Sequence, residues 1–321
     1  MGHAVTQDNA GRGLPPAAEA RMAEIRSSGT WGSALSADEF TAIRSVGFEP
    51  VGQVLGAAVY NIGYAGGYGC PGGWAGLGGF GGGYGSPYRS VTSVSGGGSA
   101  DSYGSYGPMV RTLYQARRQA IGRMEAECAE LGGHGVVGVA LTIGSFPAGG
   151  LEFKAIGTAV RAPGGVPLKR PFTSDLTGQE FTKLIRAGWV PVGLALGISI
   201  GARHDDWLTV NQTSWASGNT EVSGYTELVN QSRHDSRAQL ERDVTRMGAD
   251  GVVVQTMDLR IRERECPMQE GRRDHIAEVT VIGTAITRFR SDVGPHGREP
   301  SLAILSLDPQ RRQAARVRLG Q

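Results

Sequence analysis

Residues 35–56 read LSADEFTAIRSVGFEPVGQVLG, and residues 176–197 read LTGQEFTKLIRAGWVPVGLALG. The two stretches align without a gap and share the Glu-Phe-Thr and Pro-Val-Gly triplets. Two further pairs of matching stretches follow: LGGHGVV (131–137) with MGADGVV (247–253), and IGTAV (156–160) with IGTAI (282–286). The chain is therefore a tandem duplication of one unit, and its 321 residues suit two domains.

Both repeats begin with the sequence of a capped helix. Ser36 is the expected N-cap of the first helix, and Glu39 stands at the capping-box position three residues later. Thr177 and Glu180 occupy the same positions in repeat two. A glycine follows each helix, at the position where a left-handed residue commonly ends one. The sequence therefore predicts short helices at 37–46 and 178–187.

After each short helix, the pattern predicts a strand, a long helix and two more strands. Apolar stripes with helical spacing predict the long helices, and period-two alternation predicts strands. The long helices are expected at 109–131 and 225–247, and the strands at 48–60, 135–144, 151–161, 190–200, 251–261 and 276–288. The predicted fold class is α+β, with two tandem β-α-β-β domains, each preceded by a short capping helix. Such a small sheet has open edges, which are templates for pairing with another chain.

Domain boundaries follow from the duplication and from shifts in composition. In chain order we expect a tail with a short helix (1–30), repeat one (31–162) with an insertion at about 64–107, a linker (163–172), repeat two (173–290), and an extension with one short strand and a basic tail (291–321). The insertion is rich in glycine and aromatic residues and nearly free of charge, so it buries too little to order itself. We expect either a long loop without a task or a weakly adhesive segment that recruits a partner protein.

The long helix of repeat one and the strands after it carry a more specific pattern. Repeat one has an Ala-Arg-x-x-Ala helix motif at Ala116, Arg117 and Ala120, then Leu-Gly and Val-Val-Gly, and a strand ending in Gly-Thr-Ala-Val. This combination resembles the YbjQ-like family, the bacterial "putative heavy-metal-binding domain". Repeat one departs from the family at Gly133 and His134, where Ala-Asp is usual. Repeat two keeps Gly-Ala-Asp at 248–250 but lacks the helix motif.

The resemblance covers most of both repeats and carries several implications. It implies dodecin-like β-α-β-β units that assemble into cyclic homo-oligomers, commonly pentamers, in the bacterial cytoplasm. It also implies a divalent metal through the family's name. The principal expected partner is therefore a further copy of the chain.

Composition and motifs argue against several other classes of protein. The net charge of +2 gives no global attraction for nucleic acid, and no apolar run is long enough to span a membrane. The start of the chain lacks a signal-peptide pattern, so a cytoplasmic location is expected. Cys70 has no local base, and Cys128 lies on the apolar stripe of the long helix, where we expect it to be an inert core residue. No nucleophile-elbow or phosphate-loop motif is present. We therefore expect no enzymatic activity.

Two groups of residues are candidates for binding. His204, Asp205 and Asp206 form the densest metal-ligating cluster, although an ordinary polar loop is the simpler explanation of them. Arg117 and Arg233 occupy the same position on the two long helices, where they could hold an anion at a subunit junction. Structural ion pairs or arginines on the helix surface are the simpler alternative. The sequence thus favours a ring-forming structural or ligand-binding protein; the alternative is a metal-binding or metal-response protein.

Overall fold

A computed structural model describes most of both repeats. The described residues are 14–29, 32–61, 91–95, 106–147, 150–165, 168, 170–266 and 271–289. The start of the chain, most of the insertion and the strand expected at 301–309 lie outside them.

The elements follow the predicted order in both halves of the chain. The first half contains α1 (Pro16–Ser28), α2 (Ala37–Ser45), β1 (Glu49–Asn61), β2 (Val91–Ser95), α3 (Gly107–Glu130), β3 (Gly135–Phe146) and β4 (Gly150–Arg161). The second half contains β5 (Phe172–Thr173), α4 (Gly178–Arg186), β6 (Trp189–His204), α5 (Trp207–Gln212), α6 (Ser223–Arg246), β7 (Gly251–Glu265) and β8 (Arg273–Arg288). The predicted α+β fold, with a β-α-β-β unit and a capping helix in each repeat, is confirmed.

Each repeat contributes one strand to the sheet of the other. The first sheet has the order β1-β4-β3-β5, and the second has the order β2-β6-β8-β7. The sequence did not predict β5, which comes from repeat two and pairs in parallel with β3. It also did not predict β2, which arises within the glycine-rich insertion and pairs with residues 199–203 of β6. The expectation that the insertion holds no regular structure is therefore wrong at 91–95.

Both predicted capping boxes are present. The Ser36 hydroxyl accepts a hydrogen bond from the Glu39 N–H at 3.3 Å, and the Glu39 carboxylate accepts one from the Ser36 N–H at 2.8 Å. Thr177 and Glu180 make the same pair of bonds at 3.3 and 2.9 Å. The Ser36 N–H lowers the pKa of Glu39, because it stabilises the charged carboxylate. These caps fix where α2 and α4 begin.

Each long helix packs on the sheet of its own repeat through a glycine of the first strand. A Cβ at Gly56 would lie 1.8 Å from the carbonyl oxygen of Ala120 on α3. A Cβ at Gly197 would lie 2.0 Å from the carbonyl oxygen of Ser236 on α6. The glycines therefore allow strand and helix backbones to touch in both repeats.

Helix α3 is covered on two sides. One side packs on Val54 and Phe153 of its own sheet, and the other joins the same apolar cluster as Leu196 and Ile198 of β6. An ion pair of 2.8 Å between Arg118 and Asp243 also links α3 to α6. Helix α3 thus holds the two repeats together.

A second joint between the repeats lies at the edge of β3. Here the Ser174 N–H donates to the Val136 carbonyl at 2.9 Å, the Val139 N–H donates to the Ser174 carbonyl at 2.9 Å, and the Gly138 N–H donates to the Leu176 carbonyl at 3.0 Å. An apolar cluster fills the joint; its buried members are Ile43, Val137, Val160, Phe172 and Phe181. Repeat two therefore docks on repeat one by adding a short strand to its sheet.

Candidate functional site

A cavity of about 290 Å³ lies between the two repeats. Arg117, Phe153 and Lys154 line it from repeat one, and Arg260 and Glu278 line it from repeat two. Its wall mixes apolar side chains with charges of both signs, as in sites that orient a small polar molecule.

Arg117 is the most unusual residue of this cavity. Its side chain is only 5% exposed, and its guanidinium carbon lies 5.7 Å from the centre of the Phe153 ring. The Nη1 atom is buried and has no hydrogen-bond partner among the described residues. Burial lowers the pKa of Arg117, whereas the charge of Glu278 opposes that effect. A buried guanidinium with an unused donor favours an anionic ligand.

Arg233, the counterpart of Arg117 on α6, has a different environment. Its side chain is exposed on the surface of the helix. The structure therefore does not bring Arg117 and Arg233 together within one chain. Arg117 lies at the junction between the two repeats, whereas Arg233 lies on the outer face of repeat two.

The three residues of the proposed metal cluster, His204, Asp205 and Asp206, face different partners. Asp206 is the N-cap of α5, since it accepts the Thr209 N–H at 2.7 Å, and it pairs with Arg203 at 2.8 Å. Burial raises the pKa of Asp206, but the Thr209 N–H and neighbouring cations outweigh that effect and lower it. Asp206 thus has a structural role at a helix start.

Asp205 belongs to a small polar group with His275 and Tyr225. Its carboxylate lies 3.0 Å from the His275 Nε2 and accepts the Tyr225 hydroxyl at 3.1 Å. The same hydroxyl lies 2.8 Å from the His275 Nε2. Burial, followed by the charge of Asp205, raises the pKa of Tyr225. The group forms a hydrogen-bonded contact between α6 and β8.

His204 instead faces Asp274, its cross-strand partner on β8. Its Nδ1 lies 2.9 Å from a carboxylate oxygen of Asp274, which also accepts a hydrogen bond from Arg264 at 3.1 Å. The Cys266 sulfur completes a buried group in which the ligand atoms of His204, Cys266 and Asp274 all lie within 4.8 Å of one another. The sequence did not predict this group, because Cys266 and Asp274 lie far from His204 along the chain. Nitrogen, sulfur and oxygen donors in such a cluster suit zinc or a similar divalent ion.

The buried cysteine of α3 offers no such chemistry. Burial raises the pKa of Cys128 to about 12, and its sulfur donates to the Gly135 carbonyl at 3.4 Å. This agrees with the expectation that Cys128 belongs to the core.

Among the described residues, no helix is long and apolar enough to cross a membrane.

Comparison with known proteins assigns a family to this fold. The family described as "Putative heavy-metal-binding" (YbjQ) matches residues 88–163 and 210–288. The encapsulin nanocompartment protein Rv1762c of Mycobacterium tuberculosis is 31% identical over 248 residues, covering 75% of this chain and 81% of that protein. The chain belongs to the YbjQ family. No solved structure is a significant match.

Membership of the YbjQ family is consistent with the repeats seen in the structure. The two matched segments fall one in each half of the chain, as a duplicated domain requires. Both segments contain the long helix and the two strands after it. The capping helices α2 and α4 lie outside the matched segments, although the duplication includes them.

Proposed function

We propose that this YbjQ-family protein is a non-enzymatic structural component that assembles with copies of itself into a ring. The observation that carries the proposal is the outer edge of β7. This strand has 15 residues, and no described strand pairs with its outer edge. Val254, Met257 and Ile261 on β7 are exposed apolar residues. A long unpaired edge strand with exposed apolar residues is a site for sheet extension by another chain.

The relative's name suggests a setting for such an assembly. Rv1762c is called an encapsulin nanocompartment protein. We extend that role to this chain and propose that its rings associate with an encapsulin shell. The resemblance to pentameric relatives makes five the subunit number to test first, and the cytoplasm is the proposed location.

The test measures the mass of the purified full chain by light scattering and native mass spectrometry. A defined oligomer supports self-assembly, whereas a monodisperse monomer at micromolar concentration contradicts it. Co-expression with an encapsulin shell protein then tests the second part of the proposal. Sedimentation of the chain with assembled shells supports the association, and its absence from the shell fraction contradicts it.

The cavity at Arg117 adds a ligand to this proposal. A small anion, such as a phosphate or a carboxylate, would receive the unused Nη1–H of Arg117 in a space that Lys154 and Arg260 also line. Thermal unfolding with added phosphate, sulfate or succinate tests the idea. Arg117→Met should abolish any stabilisation, whereas Arg111→Met, on the exposed surface of α3, should leave it unchanged. Equal stabilisation of the wild type and Arg117→Met would contradict this site.

The second candidate function is metal binding, and the His204, Cys266 and Asp274 group favours it. These residues would hold a divalent ion through imidazole, thiolate and carboxylate, and the ion would stabilise the junction of β6 and β8. Asp274 is already used by Arg264, so a metal would compete with an existing ion pair.

Elemental analysis of purified protein separates the two functions. Stoichiometric zinc, copper or nickel that is lost in His204→Ala and Cys266→Ala supports metal binding. Asp206→Ala is the matched control, because Asp206 is adjacent in sequence but caps α5. Metal lost in Asp206→Ala but retained in Cys266→Ala would instead support the cluster of His204, Asp205 and Asp206.

A further inference from the structure

The duplication predicts a second joint, equivalent to the one between the two repeats, whose contacts are not formed within a single chain. In the internal joint, the segment 172–176 of repeat two lies along the edge of β3 in repeat one. The duplication places Gly32–Leu35 of repeat one at the position of Thr173–Leu176. It also places the start of β7 at the position of the start of β3. Both halves of a second, equivalent joint are therefore present in every chain.

The two halves of this second joint are the segment 32–35 and the outer edge of β7. Both are more exposed than their counterparts in the internal joint. Thr173 and Ser174 are fully buried in the internal joint, whereas the corresponding Gly32 and Ser33 are exposed. The same contrast holds on the receiving strand. Val139 of β3 is buried, whereas the corresponding Gln255 of β7 is exposed.

The apolar cluster of the joint repeats the contrast. Ile43, Val137 and Val160 are completely buried beneath Phe172 and Phe181. Their counterparts in repeat two are only partly buried; these are Leu184, Val253 and Ile286. Phe40, the counterpart of Phe181, is also only partly buried.

We propose that Gly32–Leu35 of one molecule adds as a short parallel strand to the edge of β7 in a second molecule. By equivalence with the internal joint, the Ser33 N–H would donate to the Val252 carbonyl, and the Gln255 N–H would donate to the Ser33 carbonyl. Phe40 of the first molecule would cover Leu184 of the second. This inference rests on the proposed self-assembly and specifies the surfaces that carry it.

The capping helices supply one more matching contact. In the internal joint, the Glu39 carboxylate of α2 accepts the N–H of Gly178 at the start of α4 at 3.0 Å. Glu180 of α4 is the counterpart of Glu39, and it would accept the Ala37 N–H of the next molecule. A Cβ at Gly178 would lie 2.7 Å from the Cβ of Glu39, so Ala37 requires the second joint to open slightly at this point.

A second pair of surfaces points to the same neighbour. In repeat two, Leu196 and Ile198 of β6 are buried against α3, whereas the corresponding Leu55 and Ala57 of β1 are only half-buried. Helix α6 of the neighbouring molecule would cover β1 as α3 covers β6. The counterpart of Arg117 in this interface is Arg233, which is exposed in the single chain.

The geometry of this joint is head to tail. The donor segment and the receiving edge are different surfaces, so each molecule uses one of each to bind two different neighbours. Repeated addition then gives a closed ring if the rotation per molecule divides a full turn, and a filament if it does not. Pairing of two β7 edges about a two-fold axis would instead give a dimer.

Cross-linking between two differently tagged full-length chains tests the joint. One chain carries Ser33→Cys and the other Gln255→Cys, both with Cys70→Ser, and a short bismaleimide links neighbouring thiols; Gln255 is exposed on β7. We expect covalent dimers in the mixture and none from either chain alone. Ser33→Cys mixed with Ile261→Cys is the matched control, because Ile261 is exposed on β7 but lies beyond the joint.

The possible results distinguish failure of the proposed joint from failure of self-assembly. Cross-links between two Gln255→Cys chains would show two-fold edge pairing and overturn the head-to-tail joint. An oligomer by light scattering that gives no Ser33–Gln255 cross-link would also overturn the joint while leaving self-assembly intact. A monomer by light scattering would overturn both.

Substitutions on β7 provide a second measurement. Val254→Asp should abolish the oligomer at a concentration where the wild type is assembled, because it places a charge in the joint. Ile261→Asp should leave the oligomer unchanged, since Val254 and Ile261 are similarly exposed, at 45% and 51%. Unchanged circular dichroism and thermal unfolding would show that both variants are folded. Equal loss of assembly in both variants would contradict the proposed position of the joint.

Discussion

The hydroxyl of Tyr114 on α3 accepts the backbone N–H of Ile198 on β6 at 2.8 Å. The same hydroxyl donates to the Leu196 carbonyl at 3.3 Å. Burial raises the pKa of Tyr114 to about 12, so the phenol stays protonated and can make both bonds. A side chain from repeat one therefore satisfies backbone groups of repeat two that a neighbouring strand would otherwise satisfy.

We expect Tyr114→Phe to lower the free energy of unfolding by about 1–3 kcal/mol, because it leaves a buried N–H without a partner. Urea unfolding followed by circular dichroism measures the change. Tyr60→Phe is the control, since the Tyr60 hydroxyl bonds Gln119 within repeat one and is only partly buried. An equal loss in the two variants would show that Tyr114 has no special role between the repeats.

The strand glycines give a matched pair of predictions in the two repeats. Gly56→Ala and Gly197→Ala should each destabilise the fold by about 1–3 kcal/mol or more, because the added methyl would meet helix backbone. Gly122→Ala on α3 should instead stabilise by about 0.5–1 kcal/mol, because its Cβ would meet no atom within 4 Å. Thermal unfolding measures all three. A neutral result at Gly56 or Gly197 would mean that the helices lie farther from the sheets than described.

The capping boxes predict a loss of stability in acid. The folded state lowers the pKa of Glu39, so its contribution is fully present above the ordinary value of 4.5 and is lost as the pH falls through the folded pKa. Glu39→Gln removes this contribution. The stability difference between wild type and Glu39→Gln should therefore be largest near neutral pH and shrink below about pH 4.

Urea titrations between pH 3 and pH 7 test this dependence. Glu49→Gln is the control, since Glu49 is half-buried on β1 and makes a 3.5 Å pair with Arg161 rather than a helix cap. A difference that stays constant with pH for Glu39→Gln would indicate that the carboxylate charge contributes nothing to the cap.

Cys128 should be unreactive in the folded protein. With a pKa of about 12, only about one thiol in 10⁴ is ionised at pH 8, and burial further limits access. In a Cys70→Ser, Cys266→Ser variant, the reaction of the remaining thiol with an aromatic disulfide should be slow in buffer and fast in urea. Rapid reaction in buffer at pH 8 would show that α3 opens readily from the sheet.

Local chemistry allowed the helices to be predicted from the sequence. Ser36 with Glu39, and Thr177 with Glu180, place the helix starts because capping depends on residues only three apart. The strands of the repeated unit could also be predicted, since alternation along a strand is a local property. The open sheet edges followed from the number of strands in the unit.

The exchanged strands could not be predicted in the same way. Pairing of β2 with β6 joins residues about a hundred positions apart, and β5 is only two residues long. The group of His204, Cys266 and Asp274 could not be predicted for the same reason, because β8 brings Asp274 to His204. Asp205 and Asp206 were predicted as partners of His204 because they follow it directly in the sequence. The sheet instead places Asp274 and Cys266 beside His204.

The departure from the family pattern at His134 has a structural explanation. The His134 Nδ1 accepts the Ala162 N–H at 3.0 Å, and in repeat two the Asp250 carboxylate accepts the Arg288 N–H at 3.0 Å. An imidazole nitrogen therefore replaces a carboxylate oxygen as the acceptor at the same turn. The sequence shows the substitution, whereas the role of His134 as an acceptor depends on the end of the adjacent strand.

The short linker between the repeats makes their association independent of the protein concentration. Only residues 162–171 separate β4 from β5, so the internal joint forms within one chain at an effective concentration in the millimolar range. Dilution cannot separate repeat two from repeat one, but it would dissociate any joint between molecules. A diluted sample should therefore contain paired repeats that remain folded and can reassemble when the concentration rises. Fusion of two units in one gene thus removes the concentration dependence from half of the joints in the assembly.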